Sequence, residues 1–217
     1  MLKTLIYLIL LQVSLFATQI SDYINKKNCD QIIDKQVYSI CYDYKMKGAK
    51  YVAYELDGKL VNKLNIKKRS SFYSEKNLPI QYRSYTKDYT KTGYDRGHLA
   101  NDASFDWSEK SVRKTYSMAN IVPQKPMLNR KVWIKAEKLE RKIASSLGFA
   151  TVINGVIYPN NPKRIGKNKV AVPSAFWKMI YNDKENYKKC FYYENIDYKN
   201  IKKETLKKHQ VDCNKLN

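Results

Sequence analysis

The feature that constrains this chain most is a four-residue step. Asn129, Trp133, Glu137 and Arg141 recur at that interval inside the stretch from Leu128 to Leu147. An α-helix turns by about 100° and rises by about 1.5 Å per residue, so side chains spaced by four share one broad face. Val132, Ala136, Leu139, Ile143 and Leu147 supply an apolar stripe and Gly148 a stop, so the pattern predicts a helix over 128–147. Trp133 reads as core packing that fixes this helix against a sheet. Asn129 and Glu137 stand about 12 Å apart along the axis, too far to ligate one ion together, so Glu137 is expected to act through a water.

Roughly thirty residues earlier lies Tyr94-Asp95-Arg96-Gly97-His98-Leu99-Ala100. The chain has two histidines, His98 and His209, and His98 alone sits in a crowded polar motif. Any chemistry that needs an imidazole near neutral pH therefore falls to His98. Arg96 beside it favours the neutral ring and makes an anion the natural ligand. A single carboxamide, Asn129, is a poor trap for zinc but suits a hard, mostly hydrated Mg²⁺ completed by phosphate oxygens, with Mn²⁺ as a substitute. The implied substrate is a phosphodiester.

These residues carry a resemblance. Tyr94 to Ala100, Asn120-Ile121-Val122-Pro123-Gln124, and Asn129, Trp133, Glu137 and Arg141 at their spacing resemble the DNA/RNA non-specific endonucleases of the ββα-metal superfamily. Lys169 to Ser174 with Phe176-Trp177-Lys178 resembles a later strand of that family, so the match spans roughly residues 50 to 182. The resemblance implies hydrolysis of DNA and RNA without sugar preference, leaving 5′-phosphate and 3′-hydroxyl ends. It gives His98 the role of general base and Asn129 that of metal ligand. Glu137 becomes the residue that orients a water, and Arg96 and Arg141 hold phosphate oxygens. Arg69 is carried over as a further phosphate arginine, with Arg83 as the competing candidate. Asp95, Asn120 and Gln124 are expected to support the site or to touch substrate. Many members have proline after the Leu-Ala pair, where this chain has Asn101-Asp102, so the loop from Asn101 to Trp107 is left open.

The composition bounds the partners. The formal charge is +21, from 41 Lys and Arg against 20 Asp and Glu in 217 residues, which draws such a chain to polyanions such as DNA and RNA. An exported protein that binds nucleic acid without cutting it is the alternative, though binding alone does not require His98, Asn129 and Glu137. A phosphoesterase for small nucleotides fits less well, because no Gly-rich phosphate loop is present. Oligomeric state is open, a dimer included.

Met1-Leu2-Lys3 and the apolar run from Thr4 to Ala17 have the form of a secretory leader, cut after Ala17. The run is too short to span a membrane easily, so no stable insertion is expected after its removal. Residues 18–217 then form a single domain in the periplasm or outside the cell. Cys29, Cys41, Cys190 and Cys213 are even in number and form no Cys-x-x-Cys, which favours disulfides over zinc. Of three pairings, Cys29 with Cys41 and Cys190 with Cys213 close the shortest loops.

Residues 18–35 read as a short helix or cap. Tyr51 to Leu56 and Lys59 to Leu64, around Asp57-Gly58, read as a hairpin. Lys67 and Lys68 read as a solvated charge run. His98 is placed at a strand end, and Ser108 as the N-cap of a short helix. Residues 149–158, 168–173, 175–181 and 188–193 read as strands. Lys199 to His209 reads as a basic terminal helix with His209 on the surface. The sum is an α+β fold: a mainly antiparallel central sheet with flanking helices, and a ββα-metal element as its active-site edge.

Overall fold

A computed structural model describes residues 20–64, 66 and 69–216. The leader, Lys67 and Lys68 lie outside these residues. Seven strands form one antiparallel sheet in the order β1-β2-β3-β6-β9-β10-β11. They are β1 (Gln31–Asp34), β2 (Ser39–Asp43), β3 (Gly48–Asp57), β6 (Phe149–Ile157), β9 (Ala175–Asn182), β10 (Tyr187–Glu194) and β11 (Gln210–Val211). Two small pairs stand apart: β4 (Asp95–His98) with β5 (Ile121–Gln124), and β7 (Arg164–Ile165) with β8 (Val170–Ala171). The helices are α1 (Glu109–Thr115), α2 (Ile134–Leu147) and α3 (Leu206–His209). The α+β class and the mainly antiparallel sheet stand as expected. Among the described residues no helix is long and apolar enough to cross a membrane.

Strand β9 shows why the sheet is buried on both sides. Its side chains alternate, Phe176 and Ile180 entering the larger core while Trp177, Met179 and Tyr181 enter a second cluster on the opposite face. That second face is covered by Ile20, Tyr23 and Ile24 from one end of the chain and Leu216 from the other. Both end segments are tied to the sheet by disulfides. Cys29–Cys41 and Cys190–Cys213 form with Cα atoms 5.0 and 5.2 Å apart, as the short-loop pairing requires.

Two local expectations give way. The hairpin after Asp57 does not form, because β3 already has β2 on one side and β6 on the other. The chain instead curls: Leu60 and Val61 donate to the Asp57 carbonyl, and Lys59 to its carboxylate at 2.8 Å. Gly58 passes so close to α2 that a Cβ there would lie 2.2 Å from the Ala144 carbonyl oxygen. Among the described residues of the segment 18–35, 20–23 are helical, and the segment ends in β1, paired with β2 through Ile32 and Cys41.

Leu128 to Leu147 is helical, with Gly148 as its stop at φ 86°. It opens with a π-helical turn over Leu128–Trp133 before α2 proper. Trp133 is fully buried against Phe176 and Tyr193, the packing role expected of it. Inside α2 the seam against the sheet is Ala136, Glu140 and Ala144, while Leu139 and Ile143 sit at its margin. The small alanines let the helix approach closely. A carboxylate lies between them.

Glu140 and Lys178 of β9 are both wholly buried and paired. Tyr54 of β3 donates to Glu140 Oε1 at 2.9 Å, Asn101 at 2.6 Å and Ser104 at 2.8 Å. A buried charge is tolerated when paired and fully hydrogen-bonded, and removing one partner leaves the other uncompensated at a cost of about 3–5 kcal/mol. Lys178→Met should therefore lower stability by about that amount in urea denaturation. Adding Glu140→Gln should restore much of the loss, and equal stability of the single and double variants would contradict this account.

Candidate active site

The site is built on the β4–β5 pair and the helix that follows. Asp95 pairs with Gln124, Arg96 with Pro123, Gly97 with Val122 and His98 with Ile121. His98 is thus the last residue of a strand, as expected. Gly97 is required by contact: a Cβ there would lie 2.1 Å from Gln124 Oε1. Gln124 is fully buried over that glycine, with neither side-chain polar atom hydrogen-bonded. Asn120 is also fully buried, and its side chain grips both backbone groups of Ala100 in the loop after His98. It accepts from the Ala100 N–H at 2.9 Å and donates to the Ala100 carbonyl at 2.9 Å and to Thr115 at 2.8 Å. Asn120 thus braces the backbone just after His98, and Gln124 packs over Gly97 just before it.

A cleft of about 380 Å³ opens beside this pair, walled by Phe72, Tyr94, Asp95, Arg96, Asn129 and Arg130 among others. Asn129 lies in the π-helical turn, an irregularity that recurs at functional positions. Its amide nitrogen donates to Asp95 Oδ2 at 3.0 Å. A carboxylate only accepts, so this bond fixes the carboxamide and leaves Asn129 Oδ1 free to accept or to ligate. Arg130 then clamps Asp95 with two bonds of 2.7 and 2.6 Å. Burial alone would raise the Asp95 pKa, but the hydrogen bonds from Arg130 and Asn129 hold it below the ordinary carboxylate value. Sequence reading gave Asp95 a supporting role and missed Arg130, although its place directly after Asn129 was a signal.

His98 is largely buried, and its Nε2 is buried without a hydrogen-bond partner. Phe72 and Tyr116 fence the ring, with centroids at 5.4 and 4.9 Å. Phe72 also lines the cleft, and Arg96 lies over it at 4.8 Å. Burial pushes the imidazole down to about 4; Asp102 opposes this, and Arg69 and Arg96 add to it. The ring is therefore neutral at pH 7. Arg96 contributes as its position suggested, but burial is the larger cause.

The remaining arginines take different posts. Arg69 faces Asp102 Oδ2 at 3.4 Å, on the side of His98. Arg83 turns away, donating to the Leu78 and Lys76 carbonyls at 2.6 and 2.7 Å. Arg141 donates to Asn101 Oδ1 at 3.0 Å, which places it on the loop after His98. Glu137 lies on α2, one turn before Arg141. Burial pushes its carboxyl up to about 8; Lys178 and Arg141 oppose this, and Glu140 and Asp102 add to it. His209 corrects an expectation: it is buried, with Nε2 2.8 Å from Glu204 and its ring stacked on Tyr193 at 4.4 Å. The expected terminal helix is reduced to α3, whose last residue His209 fills an aromatic pocket away from the cleft.

The family model for DNA/RNA non-specific endonucleases matches residues 17–217. The chain belongs to the DNA/RNA non-specific endonuclease family. Human mitochondrial endonuclease G is 30% identical over 160 residues, which is 69% of this chain and 54% of that protein. A nuclease of Nostoc sp. is 30% identical over 150 residues, 67% of this chain and 52% of that protein. The chain thus spans about half the length of these relatives. A chain in the crystal structure of the EndoG/EndoGI complex superposes with a TM-score of 0.80 at 22% identity, covering 92% of this chain and 88% of that one. That likeness shows the fold, in which β4, β5 and the helix from Leu128 form the ββα element.

The Glu137 carboxyl gives a signed prediction. Its pKa is raised from 4.5 to about 8 in the folded chain, so the folded state binds the extra proton between those values and loses stability as pH rises through them. In EDTA, Glu137→Gln should match the parent near pH 4.5 and be more stable near pH 8. Thermal unfolding at the two pH values checks this, and a gain of the same size at both would refute it.

Proposed function

We propose that this chain is an exported, sugar-non-specific endonuclease that hydrolyses phosphodiester bonds in DNA and RNA. The observation that carries the reading is the Asn129 carboxamide on the cleft wall, its oxygen left free by Asp95, with the neutral imidazole of His98 packed against Phe72 of the same wall. Family membership supports the substrate class, and the +21 charge supports attraction to the backbone of either nucleic acid.

A metal cofactor is tested by the donor set. Among the described residues no group of three or more His, Cys, Asp or Glu stands together to cage a metal. A single oriented carboxamide oxygen with an adjacent carboxylate fits Mg²⁺, which keeps most of its waters and takes phosphate oxygens. Asn129 would hold it, and when bound it would offset the negative charge that builds on the phosphoryl and leaving oxygens.

The chain's own residues do the rest. His98, neutral above about pH 4, takes the proton from water as its oxygen attacks phosphorus. Arg96 at the cleft wall and Arg69 at the Asp102 side are placed to hold non-bridging oxygens, with Arg141 bracing the loop between them. Asp95 keeps the Asn129 oxygen aimed, and Glu137 acts through a water. Breaking the bond between phosphorus and O3′ leaves 5′-phosphate and 3′-hydroxyl ends. Because these groups read phosphate and not base edges, little sequence preference follows. Export is supported by the two disulfides, which persist in oxidising compartments, and by the form of the leader.

Purified protein incubated with circular plasmid and with RNA should cut both in Mg²⁺ and neither in EDTA. His98→Ala should lower the rate by about 10²–10⁴-fold with little loss of binding. Retention of intact plasmid by the parent protein would favour the binding-only alternative. Cleavage that survives His98→Ala, or that ignores EDTA, would remove the mechanism.

A further inference from the structure

Asp102 opens the 3-10 turn Asp102–Ser104 that follows His98, and no step above uses it. One oxygen, Oδ2, accepts the Tyr116 hydroxyl at 2.7 Å and faces the Arg69 guanidinium at 3.4 Å. The Tyr116 ring stands edge-on to the His98 imidazole with centroids 4.9 Å apart. Phe72 packs against both the imidazole and the Tyr116 ring, with centroids at 5.4 and 4.9 Å, and carries Arg96 over its own ring at 4.8 Å. Two permanent cations thus stand near a largely buried base, and one anion stands with them.

We propose that Asp102 is a positioning residue for the base: its carboxylate holds Arg69 and the Tyr116 hydroxyl around His98 and offsets the field of the two arginines on the imidazole. The proposal rests on the reading of His98 as general base. The charged groups whose fields reach the ring are Asp102 from the turn, Arg69 from the segment before Phe72, and Arg96 from β4. Tyr116, at the end of α1, faces the ring with its hydroxyl committed to Asp102. Among these groups Asp102 alone favours the protonated imidazole. A base must accept a proton in the transition state, and one within reach of two arginines without a counter-charge accepts it poorly. Asp102 therefore acts on the rate through His98 and Arg69, without touching substrate.

The same carboxylate also restrains Arg69. That side chain is 41% exposed, against 23% for Asp102, so the ion pair sits at the rim where an incoming phosphate competes for the guanidinium. The Tyr116 hydrogen bond keeps Asp102 in place when Arg69 turns to the substrate. Loss of the carboxylate removes both restraints together.

The test reads the imidazoles directly. NMR titration of the two histidines follows His98 and His209 in the parent and in Asp102→Asn, Asp102→Glu and Tyr116→Phe, with His209→Gln for assignment. Asp102→Asn should lower the His98 midpoint by about half a unit or more, and Asp102→Glu should recover it. Tyr116→Phe, which keeps the charge, should move it less. His209, bonded to Glu204, should stay where it is in all three. A His98 midpoint that holds or rises in Asp102→Asn overturns the proposal. In parallel, the acid limb of kcat/KM for plasmid cleavage should move down with the midpoint in Asp102→Asn, with the fall mainly in kcat. A lowered kcat with an unmoved limb also overturns it, as the mark of a merely structural role. Failure of the parent to cut nucleic acid would defeat the nuclease reading, while the midpoint still decides what Asp102 does.

Discussion

The wholly buried Glu140 carboxylate is the interaction on which the geometry of the site depends. It lies on the inner seam of α2, yet its partners come from three other parts of the chain: Lys178 on β9, Tyr54 on β3, and Asn101 and Ser104 in the loop after His98. Helix α2 continues the turn that carries Asn129, and the loop continues the strand that carries His98. A flexible connection between those two elements would let the His98 imidazole and the Asn129 carboxamide drift apart by the ångström or so that costs an active site most of its rate. One charge with donors on all sides fixes sheet, helix and loop to one another. An apolar residue of the same size would pack as well on β9 but could not hold Asn101 and Ser104.

The site itself is governed by burial before charge. For His98 and for Glu137 desolvation is the largest influence, and it acts in opposite chemical directions: it strips the proton from the imidazole and keeps it on the carboxyl. Each group is thereby neutral near pH 7 although cations crowd the surface nearby. Asp95 is the contrast, held ionised against partial burial by hydrogen bonds from Arg130 and Asn129. An ionised carboxylate accepts and cannot donate, so it binds the nitrogen end of the Asn129 carboxamide and leaves the oxygen end for other donors. Three protonation states, each set by a different balance, are needed for one orientation of donors.

How much of this was legible in the sequence follows from the range of the interactions. The four-residue step and the Gly148 stop are local signals, and they gave the helix; the strands over 149–157, 175–182 and 187–194 were equally local. The disulfide pairing was legible because short loops dominate when cysteines are few. The false hairpin at Asp57-Gly58 came from a real turn signal whose second arm had no free strand edge to join, which no local pattern can report. Likewise Glu140 reads as one more charged residue on a charged helix until Lys178 is known to lie opposite it. His209 looked like surface for the same reason, since Glu204 and Tyr193 come to it only in the fold. The motif residues His98, Arg96 and Asn129 were visible; Phe72, Tyr116 and Arg130, which give them their environment, were not.

The π-helical turn over Leu128–Trp133 connects these levels. A regular α-helix over 128–147 would bury Val132 and Trp133 or present Asn129 to Asp95, with little freedom to adjust one against the other. Widening the first turn changes the angle between Asn129 and the rest of the helix without changing the seam that Trp133, Ala136 and Ala144 make with the sheet. The cost is a less favourable backbone geometry, borne where Trp133 is locked between Phe176 and Tyr193 and where Asn129 is bonded to Asp95. Packing thus fixes one end of the turn and electrostatics the other. Asn129 stands on the cleft wall with its amide nitrogen tied to Asp95 because both ends are held, which is why a step of four in the sequence located the helix but could not by itself say which way Asn129 would face.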